Sequence, residues 1–162
     1  MYKDRVFKAE RFELVDKKGK ARASFHISSN SMPTLRMKDT NGKVRVELAI
    51  KERGTPVLSF ADKEGQVRTT LEVTENSEPV LRFAGDDGKL KLDLRINQRG
   101  NPMLRFTDKA GKVRTRLQLR SDGSASLEMR DKEGVPCITL ALDVDGLPEM
   151  NLAPSPDAGD SA

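Results

Sequence analysis

Five basic residues, Arg22, Arg45, Arg68, Lys91 and Arg114, recur along the chain at a constant spacing of 23 residues, and Lys20, Lys43, Lys89 and Lys112 stand two residues before four of them. Regularly spaced positive charge is what a polyanion backbone requires, so a nucleic acid or another anionic polymer is the ligand this row would suit. Against that reading, aromatic residues make up only 4% of the chain, Trp is absent, and no platform for stacking bases accompanies the row. The 29 Lys and Arg are also nearly matched by 25 Asp and Glu. Repeating charge on the wet face of a sheet has a second use, since it discourages edge-to-edge aggregation.

Other reactive side chains are sparse. His26 is the only histidine, which rules out a triad built on histidine or a multi-histidine metal site within one chain. It falls on the polar side of a strand pattern and reads as a surface residue. Cys137 has no second cysteine with which to form a disulfide and no histidine beside it in sequence, so it reads as a small edge or cap residue rather than a nucleophile. Asp143-x-Asp145-Gly146 and Asp86-Asp87-Gly88 resemble pieces of a calcium loop. Counting from Asp143, however, the loop position that supplies a bidentate Glu in an EF-hand is Pro154. These aspartates read as turn residues, and no catalytic, cofactor-binding or metal-ligating set emerges. The expectation is a protein that is not an enzyme and needs no cofactor.

The elements that position these residues repeat as strictly as the residues do. Six copies of 23 residues begin at Arg11, Thr34, Val57, Val80, Met103 and Ser126, and a truncated seventh begins at Glu149. Numbering within the repeat, positions 2 and 4 are always apolar (Leu58 and Phe60, Leu104 and Phe106), as are positions 15 and 17 (Leu71 and Val73, Leu117 and Leu119). Position 9 is Gly in all six copies, and position 6 is Asp in five, with Gly85 the exception. Between the turns the side chains alternate, as in Lys112-Val113-Arg114-Thr115-Arg116-Leu117-Gln118-Leu119, which is a half-buried strand and not a helix. A shorter strand covers positions 1 to 6, and Pro33, Pro56, Pro79, Pro102 and Pro148 precede it, where a missing ladder donor is tolerated. Gly and Asp in the two connections supply positive φ and local side-chain bonds to the backbone.

Parity then constrains the topology. A three-residue turn with a Gly bulge at positions 19 to 21 sets position 15 opposite position 2 of the next copy, both apolar. The same turn at positions 7 to 9 would set Phe60 beside Arg68 and Phe106 beside Arg114. Either that connection has four loop residues, so that position 4 meets 13 and 2 meets 15, or it is an arch joining two facing sheets. The first gives an all-β antiparallel meander of six two-stranded hairpin repeats; the second gives a two-sheet β-solenoid. A solenoid would stack Arg22, Arg45, Arg68, Lys91 and Arg114 about 4.8 Å apart. The meander is favoured.

Composition sets the organisation. The chain divides into a lead-in (1–10), one β-repeat domain (11–152) and a tail (153–162) short of apolar residues that reads as disordered. In the sixth copy Val135, Pro136 and Cys137 break the pattern, and Pro136 reads as removing a donor from an edge strand. No stretch approaches about 18 apolar residues and the first ten lack an apolar signal core, so no membrane span is expected and the cytoplasm is the expected compartment.

The stretches Phe106-Thr107-Asp108-Lys109-Ala110-Gly111-Lys112-Val113-Arg114 and Phe60-Ala61-Asp62-Lys63-Glu64-Gly65-Gln66-Val67-Arg68 follow the unit Phe-x-Asp-x-x-Gly-Lys-x-Arg, the second with Gln66 at the Lys position. In this the chain resembles tandem β-repeat proteins of bacterial genomes, over about 140 residues. The resemblance implies an all-β array and no activity. The 23-residue length also suits MORN repeats, but those depend on Tyr and Trp at fixed places, and one Tyr with no Trp fails that match.

Twelve strands of about 20 Å at about 4.8 Å spacing make an apolar face on the order of 1,100 Å². Soluble monomers rarely leave patches beyond about 300–600 Å² uncovered. The sheet is therefore expected to curl, to fold into two layers or to dock on copies of itself. The functional expectation is a non-enzymatic structural or protein-interaction repeat, a self-associating homo-oligomeric scaffold; the alternative is a polyanion-binding module that uses the basic row.

Overall fold

The computed structural model describes residues 7–153. Thirteen strands follow one another: β1 (Arg11–Val15), β2 (Ala21–Ile27), β3 (Pro33–Lys38), β4 (Val44–Ile50), β5 (Pro56–Ala61), β6 (Val67–Val73), β7 (Pro79–Ala84), β8 (Leu90–Ile96), β9 (Pro102–Thr107), β10 (Val113–Leu119), β11 (Ala125–Arg130), β12 (Pro136–Leu142) and β13 (Pro148–Leu152). They form a single open sheet in sequence order, each strand antiparallel to its neighbours. This is the hairpin meander. The two-sheet solenoid is excluded, because the two strands of one repeat, such as β9 and β10, are hydrogen-bonded neighbours. The truncated seventh copy forms β13, which completes the sheet against β12.

Most of the connections use one turn chemistry. At the end of β9 the Asp108 carbonyl accepts the Gly111 N–H at 3.1 Å, and the Asp108 N–H donates to the Lys112 carbonyl at 2.9 Å. At the end of β8, Asn97, Gly100 and Asn101 repeat the arrangement at 2.8 and 3.0 Å. Each is a type I turn closed by a residue of positive φ, with three residues in the loop. The first connection is thus not a four-residue loop. Position 4 nevertheless meets position 13, because a β-bulge follows: Phe106 pairs Thr115 and Thr107 pairs Val113, leaving Arg114 as the extra residue. The same shift leaves out Arg22, Arg45, Arg68, Lys91 and Cys137.

The register sorts side chains into continuous rows. Positions 2 and 15 make one apolar row from Phe12 and Phe25 through Leu58, Leu71, Leu81 and Leu94 to Leu140 and Met150. Positions 4 and 13 make a second, largely apolar row that includes Phe60, Phe83 and Phe106 and is interrupted by Thr69 and Thr115. The opposite face carries positions 1, 3, 14 and 16, and the most enclosed side chains lie there: Val80 at 1% exposure, Asp93 at 0% and Ser126 at 2%. The alternation of types was legible, but the side that ends up enclosed is the polar one.

Two expectations shift in detail. Pro136 opens β12, an interior strand, so it caps no edge; the outer strand at that end is β13. Of the tail expected at 153–162, only Ala153 lies among the described residues, where its N–H donates to the Cys137 carbonyl at 2.9 Å.

In the even-numbered turns the closing residue is Gly54, Gly100, Gly123 or Gly146 at φ 78° to 84°, but Ser31 and Ser77 hold the same place at φ 60° and 61°. An L-residue in that region costs about 1–2 kcal/mol, partly offset by the chain entropy that Gly adds to the unfolded state. Ser31→Gly and Ser77→Gly should each stabilise the protein by about 0.5–1 kcal/mol, and nearly additively, because four strands at about 4.8 Å separate the two turns. Urea titration of the single and double variants checks this; a midpoint that stays put or falls contradicts it.

Candidate interaction faces

The position-6 aspartate builds a staple with the bulge residue. In the first repeat Asp16 Oδ1 accepts the N–H groups of Lys18 and Lys20 at 2.9 and 3.0 Å, closing the turn. Its Oδ2 accepts Arg22 Nε at 2.8 Å, while Arg22 Nη1 donates to the Asp39 carbonyl of the next repeat at 2.6 Å. Arg114 binds Asp108 Oδ2 at 2.6 Å and the Asp131 carbonyl. Arg68 binds Asp62 at 2.6 Å, the Gly85 carbonyl, and Asp86 at 2.7 Å. Arg45 reaches the Ala61 carbonyl at 2.8 Å and Asp39 at 3.5 Å. An extra residue bulging from the ladder is free to aim along the sheet, and in these four repeats it links one hairpin to the next.

The fourth repeat reaches the same end differently. Gly85 replaces Asp at position 6, and Asp87 takes over, accepting the Lys89 N–H at 3.1 Å and Lys91 Nζ at 2.9 Å. A Cβ at Gly85 would lie 2.4 Å from Lys91 Cε, so the Lys stem occupies the space that Asp uses elsewhere. Gly85, Asp87 and Lys91 form one alternative solution rather than three independent departures. In the sixth repeat Cys137 stands at the bulge, half-buried, with Sγ 3.6 Å from the Val135 carbonyl.

The basic row identified from sequence therefore lies along one flank of the sheet, each member two strands from the next, about 10 Å apart, and each paired with a carboxylate of its own repeat. His26 sits on the polar face with Nδ1 3.3 Å from Ser24 Oγ. Asp143 closes the turn before β13, accepting the Asp145 and Leu147 N–H groups at 2.9 and 2.8 Å. Among the described residues no group of three or more His, Cys, Asp or Glu side chains converges as a metal site would require. Among the described residues no helix is long and apolar enough to cross a membrane.

A second constellation escapes sequence periodicity. Positions 3 and 14 form one row across the middle of the polar face, in which Arg36 faces Glu47, Arg82 faces Asp93, Asp93 faces Arg105, Arg105 faces Arg116 and Arg116 faces Glu128. Asp93 is fully enclosed; Arg105 donates to both its oxygens at 2.8 and 2.7 Å, and Arg95 adds a 2.9 Å bond to Oδ2. Burial works against the Asp93 anion, but the bonds from Arg105 and Arg95 outweigh it and hold the carboxyl below its ordinary range. The residue types at positions 3 and 14 change from copy to copy, so only the register reveals that they meet.

The apolar face stands open. Leu48, Leu71, Leu94 and Leu117, in the central row, are each 48–51% exposed, and Phe60, Phe83 and Phe106 beside them 40–45%. All thirteen strands belong to the one sheet, and these exposures leave its apolar surface uncovered within the described residues. Of the three ways of covering it expected from area, folding into two sheets does not occur among the described residues.

The turn carboxylates give an acid signature. Asp16 and Asp108 are held below the ordinary range first by the backbone N–H groups of Lys20 and Lys112 and then by Arg22 and Arg114. At Asp39 and Asp62 burial opposes the shift, and the same kinds of bond overcome it. A carboxyl with a depressed folded value stabilises the protein above its unfolded value, about 3.9, and that contribution is lost as pH falls through the folded value. Stability is expected to be flat above about pH 5 and to fall below about pH 4. Asp108→Asn, which keeps the turn-closing oxygen and removes the charge, should make the acid limb shallower. Urea midpoints measured across pH test this; an acid limb identical in the variant contradicts it.

No family model matches the chain, and no curated protein does. Among solved structures, a variant of S. aureus TarM in complex with Fondaparinux, alpha-GlcNAc-glycerol and UDP aligns at 14% identity over 88% of this chain with a TM-score of 0.22; the chain spans about a fifth (20%) of that protein. A variant TCP10 domain of Danio rerio CPAP aligns at 13% identity over 87% of this chain and 94% of the domain, TM-score 0.21. The wild-type domain in complex with a peptide of Danio rerio STIL aligns at 11% identity over 88% of this chain and 99% of the domain, TM-score 0.19. At these scores the likeness assigns no function.

Proposed function

We propose that this protein is a non-enzymatic interaction repeat that self-associates, its apolar face covered by the same face of a second copy to form a two-layer β-sandwich, the unit of a scaffold. The observation that carries the reading is the unbroken apolar row of positions 2 and 15, its central leucines about half exposed, flanked by the exposed aromatic residues of position 4. Thirteen strands of about 20 Å at about 4.8 Å spacing present on the order of 1,250 Å². That exceeds the about 300–600 Å² a monomer tolerates and the about 800 Å² each partner contributes to a standard interface.

A second copy is the occupant that fits best. The rows run with a fixed hairpin period, and a partner whose ridges match that period over the whole length is most simply the same chain. Isologous pairing about a two-fold axis buries both faces at once, and aligned sheets pack about 10 Å apart at an angle near −30°. The basic row, spent on turn carboxylates and on carbonyls of the next repeat, gives less support to the polyanion-binding alternative.

Light scattering on a sizing column should give a mass about twice 18.0 kDa. Added salt should not lower it, because apolar burial is not screened. Leu71→Glu with Leu94→Glu places two charges in the central apolar row and should yield a monomer, whereas Ser59→Lys on the other face should leave the mass unchanged. A wild-type monomer at micromolar concentration overturns the reading.

A further inference from the structure

Only three buried side-chain polar atoms among the described residues lack a partner, and all three belong to β10 and β11 on the polar face: Arg116 Nε, Ser126 Oγ and Arg130 Nε. Buried polar groups are nearly always satisfied, so a concentration of exceptions in one place points to something that completes it. The surrounding charges do not balance. Glu78, Asp93 and Glu128 face Arg95, Arg105, Arg116 and Arg130. Arg95 and Arg105 are engaged by Asp93, and Arg130 donates to Glu128 at 2.6 Å. Arg116 is the remainder. In the cross-sheet row Arg36, Arg82 and Arg105 each close an ion pair, and Arg116 closes none among the described residues.

Arg116 stands directly opposite Arg105 on one side and Glu128 on the other, and Arg130 follows Glu128 by two residues on the same face of β11. That is a diagonal neighbour, about 7–8 Å between backbones and within reach of two long side chains. Burial, Arg130 and Arg105 all disfavour the Arg116 cation, and Glu128 only partly compensates. A guanidinium cannot shed its proton at neutral pH, so the strain is relieved by an anion. We propose that the polar face carries an oxyanion site, in which Arg116 and Arg130 together hold one tetrahedral ion of the phosphate or sulfate class. Arg116 presents a guanidinium fork of paired N–H donors to such an ion, and Arg130, whose Nη2 and Nη1 are held by Glu128 and the Gly134 carbonyl, adds its unpartnered Nε–H; Ser126, the third group without a partner, stands two residues before Glu128 on the same face of β11. This site is separate from the basic row at the bulges, whose members are paired, and it does not depend on the reading of the apolar face.

The test is a titration of the wild-type protein with sodium phosphate at constant ionic strength, balanced with sodium chloride, followed by the Nε–Hε resonances of its arginines. The Arg116 and Arg130 signals should shift saturably while Arg36 stays in place. Saturating phosphate should raise the melting temperature by about 2–4 °C over matched chloride. Arg116→Thr should abolish that gain; the residue is compatible with the fold, since Thr70 and Thr139 stand at the same repeat position. Sulfate in place of phosphate should reproduce both effects. Absence of a saturable shift in the wild-type protein, which is the result if Arg116 simply swings onto Glu128, overturns the proposal. An equal phosphate gain in Arg116→Thr overturns it as well, and because the resonance titration uses the wild-type chain, a variant that misfolds does not leave the question open.

Discussion

The bulge at position 12 is the feature on which the rest of the sheet depends. Two three-residue turns, with no bulge, would bring residues one position further along than the repeat length into line across the sheet. The sequence repeats one residue sooner, and because side chains alternate with a period of two, an uncorrected slip of one residue would turn each successive hairpin over. The extra residue in β2, β4, β6, β8, β10 and β12 absorbs the mismatch once per repeat. Leu35, Leu58, Leu81 and Leu104 then stand in one line across the sheet, joined through Leu48, Leu71 and Leu94.

That constraint explains why a basic residue recurs where it does. A bulged residue has left the ladder, so its side chain is free to lie along the sheet instead of standing on either face. A long guanidinium reaches back to the turn aspartate and forward to a carbonyl of the following hairpin, as Arg22, Arg68 and Arg114 do. The row that looks in sequence like a track for a polyanion is, in the fold, a series of clamps. Asp87 with Lys91 shows that the charge pair matters more than the residues, since an aspartate and a cation are kept although the base changes from Arg to Lys and the acid moves two positions along the turn.

Much of this was legible from the chain and some was not, for definable reasons. Strand identity, antiparallel order and the pairing of position 2 with 15 follow from alternation and turn residues, which are local. The bulge was not legible, because a four-residue loop gives the same pairing of positions 4 and 13; the fixed separation of Asp16 from Arg22 and of Asp108 from Arg114 was the available clue. The charged row centred on Asp93 was hidden because its members do not repeat, and they meet only once the register is known. What covers the apolar face was not legible either, since area arguments require that it be covered but do not say by which chain.

The edges sharpen that last point. Among the described residues the sheet begins and ends on five-residue strands, β1 and β13, which are exposed and shorter than the six- and seven-residue strands between them. Short edges are poor templates for further pairing. An odd number of antiparallel strands also leaves β1 and β13 running in the same direction, so a copy stacked by simple translation would meet β13 with a parallel strand and a different hydrogen-bond pattern. Only a two-fold operation continues the antiparallel ladder at either edge, and it leaves the apolar rows as open as before. Covering those rows requires a face. The geometry that blunts growth along the sheet therefore leaves a face for the two-layer association we propose, and a sandwich that closes on itself satisfies both limits at once.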